Sequence, residues 1–544
     1  MKSTSKGEII MSDEKQGVVE YPNYSMASDF AESVAELEPI TEFAGEKTYD
    51  IVVVGAGTAG VPAVLTALEE GATVCCLQKE ATPVAQGNGS SGVILDGSTT
   101  AGVLRWIQGI RVRNNFRVNN KLFRFFAFHS GETVCWLDKM ADIVGYPAVQ
   151  HSIATSIHYE NGDECMLAGH QFGNKPESNH QLICKLAVLA EERGADFFYE
   201  TPGVQLVKEG DRVTGVIGKT KEGDYIKFNA NTAVILATGD YSNNNSMVNR
   251  YLGDISRFSR KQFGKTADGH LMAIAAGAHM VPPGHAKQAH DADAAGNGFA
   301  AIPLLALDAN CNRFMNEQDT SMPFWVNELR KLYDQPDPGV FFRFFDGKYQ
   351  EYYPNAPAPE ALQKYIPGAV ENPEGVYVDR IGTHCCDTLD ELADELGLDR
   401  EKMKAAIDHY NKICEAGVDD EFGKEAKWLF PITTPPFWGI RQWVCVTCID
   451  AGVEVDEHYQ VVDENHKPIP GLFAVGTTGG DLCGNADWSM GAGVSSGHCF
   501  NAGRYATIYA ITGDLVPSKP VSWDEVKHLY TDGLHDSTWA WQHQ

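Results

Sequence analysis

The sequence predicts an α/β fold in which a domain built on buried parallel strands is interrupted by an insertion and resumes near the C-terminus. A β-branched apolar run at 51–54 leads into a glycine-rich turn and a helix, which is typical of a strand buried between helical layers. A second buried run at 232–239 also ends in glycine. Between about 282 and 438, prolines, aromatic residues and short helices replace this pattern, which returns at 453–476.

Periodicity defines the elements between these strands. Residues 121–140 and 182–194 have the apolar spacing of helices, and 204–207 with 212–218 predict a β-meander. Residues 389–417 predict an amphipathic helical region with an acidic start.

Length, composition and charge limit the class of protein to which the chain can belong. A chain of 544 residues exceeds what one hydrophobic core usually supports, so two domains are expected. A net charge of −29 argues against nucleic-acid binding, because phosphates would be repelled. The first 47 residues are polar and acidic and lack the apolar core of a signal peptide, and no later run reaches membrane-spanning length. We expect a cytoplasmic protein with a flexible leader.

The thirteen cysteines do not predict a disulfide framework, because their number is odd and they are scattered. Cys75 and Cys76 lie in an apolar strand and are expected in the core. The pair Cys445-x-x-Cys448 leaves a redox or iron–sulfur role open, although no second matching pair accompanies it.

The turn after the first strand has the spacing Gly55-x-Gly57-x-x-Gly60, which is typical of a dinucleotide-phosphate site. Glycines there permit the tight turn, the close approach of a pyrophosphate and the contact between strand and helix. Pro62 falls in the first helical turn, where backbone N–H groups have no intrahelical partner and can face an anion. The alternative is a glycine-rich turn in another kind of α/β unit.

A second apolar strand at 73–77 supports the dinucleotide interpretation, but Gln78 stands where an acidic residue usually holds the ribose. An amide can still hydrogen-bond a ribose hydroxyl, although it lacks the charge that strengthens this contact.

Several motifs, taken in order, resemble the fumarate reductase and 3-oxosteroid 1-dehydrogenase flavoprotein family. They are Val54-Gly-Ala-Gly-Thr-Ala-Gly60, Arg212-Val-Thr-Gly-Val216, Ala233-Val-Ile-Leu-Ala-Thr-Gly239, Ala267-Asp-Gly-His270 with Ala276-Gly-Ala278, Arg313-Phe-Met-Asn-Glu317 and Ile469-Pro-Gly-Leu-Phe-Ala-Val-Gly476. The resemblance extends from about residue 48 to about residue 512. It implies hydride transfer to or from a carbon–carbon bond next to a carbonyl or carboxylate.

The resemblance also implies a domain organisation, namely a Rossmann-like FAD-binding domain interrupted by an α+β capping domain. The expected divisions are a flexible leader at 1–47, the first part of the FAD-binding domain at 48–281, the capping or substrate domain at 282–438, the second part of the FAD-binding domain at 439–515 and a C-terminal extension at 516–544.

The family places FAD against a defined set of positions. No histidine occupies the loop where some relatives attach FAD covalently, so the resemblance implies a non-covalent cofactor. The helix opened by Gly491-Ala-Gly493-Val-Ser-Ser-Gly497 would direct its N-terminus at the flavin, the alternative being a tight helix–helix contact. The polar glycine loop at 87–92 would wrap the flavin. The residues implied to hold FAD are Gly55, Ala56, Gly57, Thr58, Ala59, Gly60, Gln78, Lys79, Asn88, Gly89, Ser90, Ser91, Gly92, Gln205, Ala237, Thr238, Gly239, Asp268, Gly476, Thr477, Gly493 and Val494.

The positions that carry catalysis in the family hold different residues here. Ser321 stands where relatives have a proton-donating arginine or a tyrosine, and Met490 where an arginine clamps a substrate carboxylate. Cys448 replaces a pocket histidine, and Asp487 and Trp488 are further pocket candidates. Without charged donors a dicarboxylate would enter with unpaired charge, so these departures disfavour fumarate.

The insertion is rich in aromatic side chains, which suits a flat, larger and mostly apolar substrate such as a steroid-like enone or an aryl acrylate. They are Phe324, Trp325, Tyr333, Phe341, Phe342, Phe344, Phe345, Tyr349, Tyr352 and Tyr353, of which most are expected in the core. Strand alternation predicts that Arg343 points outward, the alternative being an interior ion pair. His270, His285 and His290 are candidate acids, or solvated loop residues.

The combined prediction is an FAD-dependent ene-reductase or dehydrogenase that acts on an activated carbon–carbon bond and exchanges electrons with an external carrier. The residue that moves the proton is not identified by the sequence. The alternatives are a flavin-dependent isomerase or hydratase, and an FAD-binding paralogue without redox turnover.

Overall fold

The structure is a computed structural model. It describes residues 38–173, 178–260, 264–282, 284–291, 302–318, 328–354, 356–373, 381–484 and 493–530. Helices and strands are interspersed along the chain, and the α/β class that the sequence predicts is confirmed.

The strands of the described residues fall into three sheets. In chain order they are β1 Gly45–Val54, β2 Val74–Leu77, β3 Gly89–Ile94, β4 Ala148–His158, β5 Glu164–Phe172, β6 Asp196–Phe198, β7 Gly203–Glu209, β8 Arg212–Lys219, β9 Tyr225–Leu236, β10 Ser259–Arg260, β11 Ala286–Asp291, β12 Leu305–Asp308, β13 Val340–Phe345, β14 Thr383–Cys386, β15 Phe437–Asp450, β16 Gln460–Val462 and β17 Pro468–Ala474.

The α-helices vary from single turns to a helix of 24 residues. They are α1 Gly60–Glu69, α2 Thr100–Arg113, α3 Asn120–Ile143, α4 Ser178–Glu192, α5 Asn245–Tyr251, α6 Asp268–Ala275, α7 Tyr349–Tyr352, α8 Pro359–Leu362, α9 Leu389–Leu396, α10 Arg400–Ala416, α11 Val494–Thr512 and α12 Trp523–Val526. Among the described residues, none of these helices combines the length and apolar character needed to cross a bilayer.

The largest sheet has the order β16-β17-β9-β1-β2-β6, with the β7–β8 meander attached to β9. Strands β1, β2, β6, β9 and β17 are mutually parallel. The run 51–54 and all of β2 are buried, as their apolar sequence predicts. Helix α1 packs against α11, so the first and last parts of the described chain share one core.

A second sheet has the order β10-β15-β13-β12, and β11 and β14 also pair with β15. Helices α9 and α10 cover it with a separate apolar core. The predicted helical region at 389–417 is two helices, because Gly397 adopts φ +70° and ends the first. The predicted domain boundary at 438/439 falls inside β15, and the domain divisions stay a prediction.

Arg343 is buried, so the prediction that it points outward is wrong. It lies in β13, which is hydrogen-bonded to β12 on one side and β15 on the other. All six residues of β13 are buried, since apolar clusters cover both of its faces. The Arg343 guanidinium donates to the backbone carbonyl of Ile302. The neighbouring phenylalanines are core residues of this sheet.

The third sheet is antiparallel and has the order β3-β5-β4. It corrects the expectation that 87–92 is a loop, because residues from Gly89 onward form β3 and pair with β5. A Cβ on Gly92 would lie 2.6 Å from the carbonyl oxygen of Ser130 in α3. This close approach of strand and helix explains the glycine, which the sequence alone attributes to a cofactor loop.

Arg504 joins three helices in the interior. From α11, its Nη1 donates to Glu69 Oε2 of α1 at 2.8 Å, and its Nη2 and Nε donate to Glu132 of α3 at 2.9 Å each. Its side chain is fully buried, with the guanidinium 4.6 Å from the centre of the Trp136 ring. The pairing leaves the buried charges compensated.

Substitution Arg504→Met should lower the free energy of unfolding by about 3–5 kcal/mol, because two largely buried carboxylates lose their partner. Urea denaturation followed by circular dichroism measures the change. The matched control is Arg400→Met, which removes an ion pair to Asp394 in which both side chains are about half exposed. An equal loss of stability in the two variants would contradict this account.

Candidate functional site

A cavity of about 490 Å³ lies where the parallel strands of the largest sheet end. Its wall includes Val54 at the end of β1, Leu77 at the end of β2, Ala237 after β9 and Val475 after β17. Ligands of open parallel sheets bind at this carboxyl edge. The cavity is therefore the candidate functional site.

The glycine turn at the cavity wall depends on backbone contacts that a side chain would prevent. A Cβ on Gly60 would lie 1.8 Å from the carbonyl oxygen of Gly55, and a Cβ on Gly55 would lie 2.4 Å from that of Ala237. Gly55 also has φ +107°, which favours glycine. Gly57 faces the cavity, where a Cβ would lie 3.2 Å from the carbonyl oxygen of Val84.

Two helices begin at the cavity wall. The N-cap of α1 is Ala59 and that of α11 is Gly493, and neither has a side chain that caps the helix. Thr58 and Ala59 line the cavity beside α1, and Ser495 and Ser496 line it in the first turn of α11. The positive ends of two helix dipoles therefore meet one cavity, which suits an anionic ligand.

The residues after β2 line one end of the cavity. Gln78 Oε1 accepts a hydrogen bond from the Ala56 N–H at 3.2 Å, and Gln78 Nε2 donates to the Thr82 carbonyl at 2.9 Å. The amide thus braces the glycine turn. Lys79 Nζ lies 2.8 Å from Asp268 Oδ2, so these two charges are paired at the wall.

The cavity wall also contains a second lysine and a thiol. Lys265 Nζ lies 2.7 Å from Asp240 Oδ2 and donates to the Thr447 carbonyl at 2.9 Å. Cys448 Sγ is 3.4 Å from Gln288 Oε1, and burial raises the pKa of this thiol to about 12. Cys448 is therefore neutral at physiological pH.

The structure brings together most of the residues that the sequence assigns to FAD. Those in the cavity wall are Gly55, Ala56, Gly57, Thr58, Ala59, Gln78, Lys79, Ala237, Thr238, Gly239, Asp268, Gly476 and Thr477, together with the pocket candidate Cys448. Ser321, Asp487, Trp488 and Met490 lie outside the described residues.

Other assigned residues stand behind the wall. They are Gly60, Asn88, Gly89, Ser90, Ser91, Gly92, Gln205, Gly493 and Val494. Gln205 accepts from the Ile40 N–H at 2.9 Å and donates to the Glu38 carbonyl at 3.2 Å, so it holds the segment before β1. Ser91 donates its N–H to the Gly493 carbonyl at 3.1 Å, which joins β3 to the start of α11.

Several wall residues were not found from the sequence. They are Glu80, Val84, Ala85, Gln86, Pro202, Gly203, Gly264, Lys265, Ser495, Ser496 and Cys499. Ser495 and Ser496 fall inside the Gly491–Gly497 motif, and Lys265 lies two residues before the motif that begins at Ala267, so proximity to motifs was the available signal. Glu80 and Gln86 lie in the connection between β2 and β3, whose sequence has neither helical nor strand periodicity.

The motif Arg313-Phe-Met-Asn-Glu317 forms an interior ion network away from this cavity. The Arg313 guanidinium donates to Glu317 at 2.8 Å and to Asp419 at 2.7 Å. Burial raises the pKa of Glu317, but the charges of Lys424 and Arg313 outweigh it and hold the pKa below its usual range. The motif thus stabilises the connection between β12 and the segment after α10.

His270 and His285, two of the three histidines proposed as acids, do not line the cavity. Burial lowers the pKa of both His270 and His285 to about 4, so both are neutral at physiological pH. His285 donates from Nε2 to the Val281 carbonyl at 3.0 Å and accepts from the Tyr241 hydroxyl at Nδ1. The side chain of His290 lies outside the described residues.

Comparison with known proteins agrees with this geometry. The model of a family described as FAD binding domain matches residues 50–494. A vinyl phenol reductase of Lactiplantibacillus plantarum is 27% identical over 510 residues, which covers 86% of this chain and 98% of that protein.

Solved structures share the fold at low identity. The open conformation of a flavocytochrome c3 fumarate reductase superposes with a TM-score of 0.65 at 23% identity, covering 85% of this chain and 79% of that one. A 3-ketosteroid Δ1-dehydrogenase from Sterolibacterium denitrificans superposes with a TM-score of 0.63 at 17% identity, covering 86% of this chain and 100% of that one. The resemblance inferred from the motifs is confirmed, and so is FAD as the cofactor.

Substitution Gly60→Ala should abolish copurification of FAD or lower its occupancy at least about tenfold, because the new Cβ would separate α1 from the glycine turn. Flavin absorbance of the purified protein measures the occupancy. Gly109→Ala is the control, because a Cβ there meets no atom within 4 Å and alanine favours the helix. Normal FAD occupancy in Gly60→Ala would show that this contact is not required.

The free energy of unfolding should fall as the pH drops from 6.5 towards 4, because unfolded His270 and His285 take up protons that the folded chain excludes. Both pKa values are lowered on folding, so this stability is complete above pH 6.5 and is lost below it. His270→Gln should remove roughly 3 kcal/mol of the pH dependence. Urea titrations across this range measure it. The exposed His158→Gln is the control, and an unchanged slope in His270→Gln would refute the assignment.

Proposed function

The chain belongs to the FAD binding domain family and is an FAD-dependent oxidoreductase, and on this premise we propose that it reduces a polarised carbon–carbon double bond in a mostly apolar substrate larger than fumarate. The observation that carries the proposal is the charge distribution of the cavity. Each lysine that the described wall contributes is paired with a carboxylate, and the position of a family histidine holds the neutral thiol of Cys448.

The cavity fits FAD on several independent grounds. Gly57 leaves room at the wall where a diphosphate would pass, and the uncapped N-terminus of α1 supplies N–H groups to it. The end formed by Gln78, Lys79 and Glu80 would hold the adenosine ribose. Ser495 and Cys499 at the opposite end would adjoin the flavin. We assign the cofactor to this cavity in non-covalent form.

Bound FAD supplies hydride exchange at its N5 atom. The protein contributes the surroundings of that chemistry. The first turn of α11 directs the positive end of a helix dipole at the cavity, where it would stabilise negative charge on a bound flavin. Asp240 holds the Lys265 ammonium at the same cavity through an ion pair at 2.7 Å.

The substrate class follows from the negative charges that the described cavity wall cannot pair with a cation. A dicarboxylate needs cationic partners, and those of the described wall are already used in ion pairs. An aryl alkene or an enone carries no such charge and gains from burial of apolar surface. The similarity to a vinyl phenol reductase over most of both chains supports a conjugated aromatic alkene. Electrons would come from an external carrier.

The test is reoxidation of the anaerobic, chemically reduced holoenzyme by 4-vinylphenol, 4-hydroxycinnamate, a 4-en-3-one steroid and fumarate. We expect an aryl alkene or the enone to reoxidise the flavin at least about tenfold faster than fumarate does. The two carboxylates of fumarate would enter the pocket without charged partners. The product should gain two hydrogens in mass spectrometry. Fastest reoxidation by fumarate would overturn the substrate class, and no reoxidation by any compound would overturn the reductase proposal. A product of unchanged mass would indicate an isomerase.

A matched pair of cysteine variants tests where the reaction occurs. Cys448→Ser alters the wall at the proposed flavin end and should lower kcat/KM for the best substrate about tenfold. Cys385→Ser changes an exposed cysteine in β14 and should leave kcat/KM unchanged. Equal rates in both variants would place the substrate elsewhere.

A further inference from the structure

Three side chains form a row across the β3-β5-β4 sheet. Ser90 of β3 stands directly opposite His170 of β5, and His170 stands directly opposite His151 of β4. Residues paired in this way project from the same face of a sheet. Asp138 of α3 reaches the same face. None of these residues lines the cavity of about 490 Å³.

The two imidazoles converge on one carboxylate oxygen. His170 Nδ1 lies 2.7 Å from Asp138 Oδ1, and His151 Nε2 lies 3.1 Å from the same atom. Asp138 and His170 are only 4% and 6% exposed, whereas His151 is partly open to solvent. The nitrogens and the oxygen come from two strands and a helix, so rigid elements set their positions.

The atoms around this group resemble an outer coordination shell. The Ser90 hydroxyl is 2.5 Å from His170 Nε2, which fixes the ring so that Nδ1 points at the carboxylate. The Tyr530 hydroxyl donates to Asp138 Oδ2 at 2.7 Å and lies 3.5 Å from His170 Nδ1.

We propose that His151 Nε2, His170 Nδ1 and Asp138 Oδ1 bind a divalent metal ion, with Zn²⁺ as the preferred ion. Two imidazoles and one carboxylate suit zinc better than Ca²⁺ or Mg²⁺, which prefer oxygen ligands alone. Water or the Tyr530 hydroxyl would complete four-coordination. A tetrahedral zinc ion holds its ligand atoms roughly 3.3 Å apart, so the two nitrogen–oxygen distances of 2.7 and 3.1 Å would have to lengthen by about 0.6 and 0.2 Å.

The consequence for the fold is local. A metal ion here would join β4 and β5 to α3, and through Ser90 it would fix β3. Ser91 of β3 contacts the Gly493 carbonyl at the start of α11. The site would therefore stabilise the support behind one wall of the FAD cavity without touching the cofactor, and it does not depend on the proposed substrate.

The test uses the full-length, FAD-loaded protein, freed of metal by a chelating resin and then equilibrated with ZnCl₂. Zinc is measured by mass spectrometry after dialysis. The wild type should retain about one zinc ion per chain, and His151→Gln should bind it at least about tenfold more weakly. His151 is partly exposed, and glutamine can still hydrogen-bond Asp138, so this variant should fold with normal flavin absorbance.

The matched control is His466→Gln. His466 Nδ1 lies 2.8 Å from Glu454 Oε1 in a second His–Glu–His group, but the His466 side chain is 70% exposed. Its loss should leave zinc retention unchanged. Wild-type protein without zinc above the buffer background would overturn the proposal, and so would equal retention by wild type and His151→Gln. Either result would mean that the group is a hydrogen-bonded network without a metal.

Discussion

The contact between Gly60 and the carbonyl of Gly55 is the constraint on which the site depends. Only a residue without a side chain allows α1 to begin so close to the end of β1. The same approach brings the Gly55 backbone against Ala237 at the end of β9. Two parallel strands and a helix N-terminus thereby meet at one point. The cavity, its suitability for an anionic ligand and the position of α11 against α1 follow from that meeting.

Local chemistry explains why much of the fold could be predicted from the sequence. The run at 51–54, the turn that follows it and the helix after it are close in sequence, and each restricts the others. Gly397 shows the limit of periodicity. A single residue in the left-handed conformation divides one predicted helical region into two helices. Strand pairing was harder to predict from the sequence. Residues 87–92 were assigned to a loop because β5, the strand with which β3 pairs, begins only at residue 164.

The parts of the site that could not be predicted depend on contacts between distant residues. Lys265 becomes a wall residue because β15 supplies the Thr447 carbonyl that it binds, 182 positions later. Arg343 is interior because strands on both sides and two apolar clusters enclose it. Alternation within one strand cannot reveal such enclosure. The substrate-facing positions Ser321 and Met490 stay predictions, since they lie outside the described residues.

The central sheet is assembled from segments far apart in the chain, and this sets the order in which the protein can form during synthesis. β1 pairs with β9, β9 with β17, and α1 packs on α11. Strand β1 ends at Val54 and α1 at Glu69, whereas β9 begins at Tyr225 and α11 at Val494, so synthesis produces the early segments long before their partners. The face of α1 that packs on α11 stays uncovered until α11 has been made. The carboxyl edge of the sheet, and with it the complete wall of the cavity, can form only after β17 has joined β9.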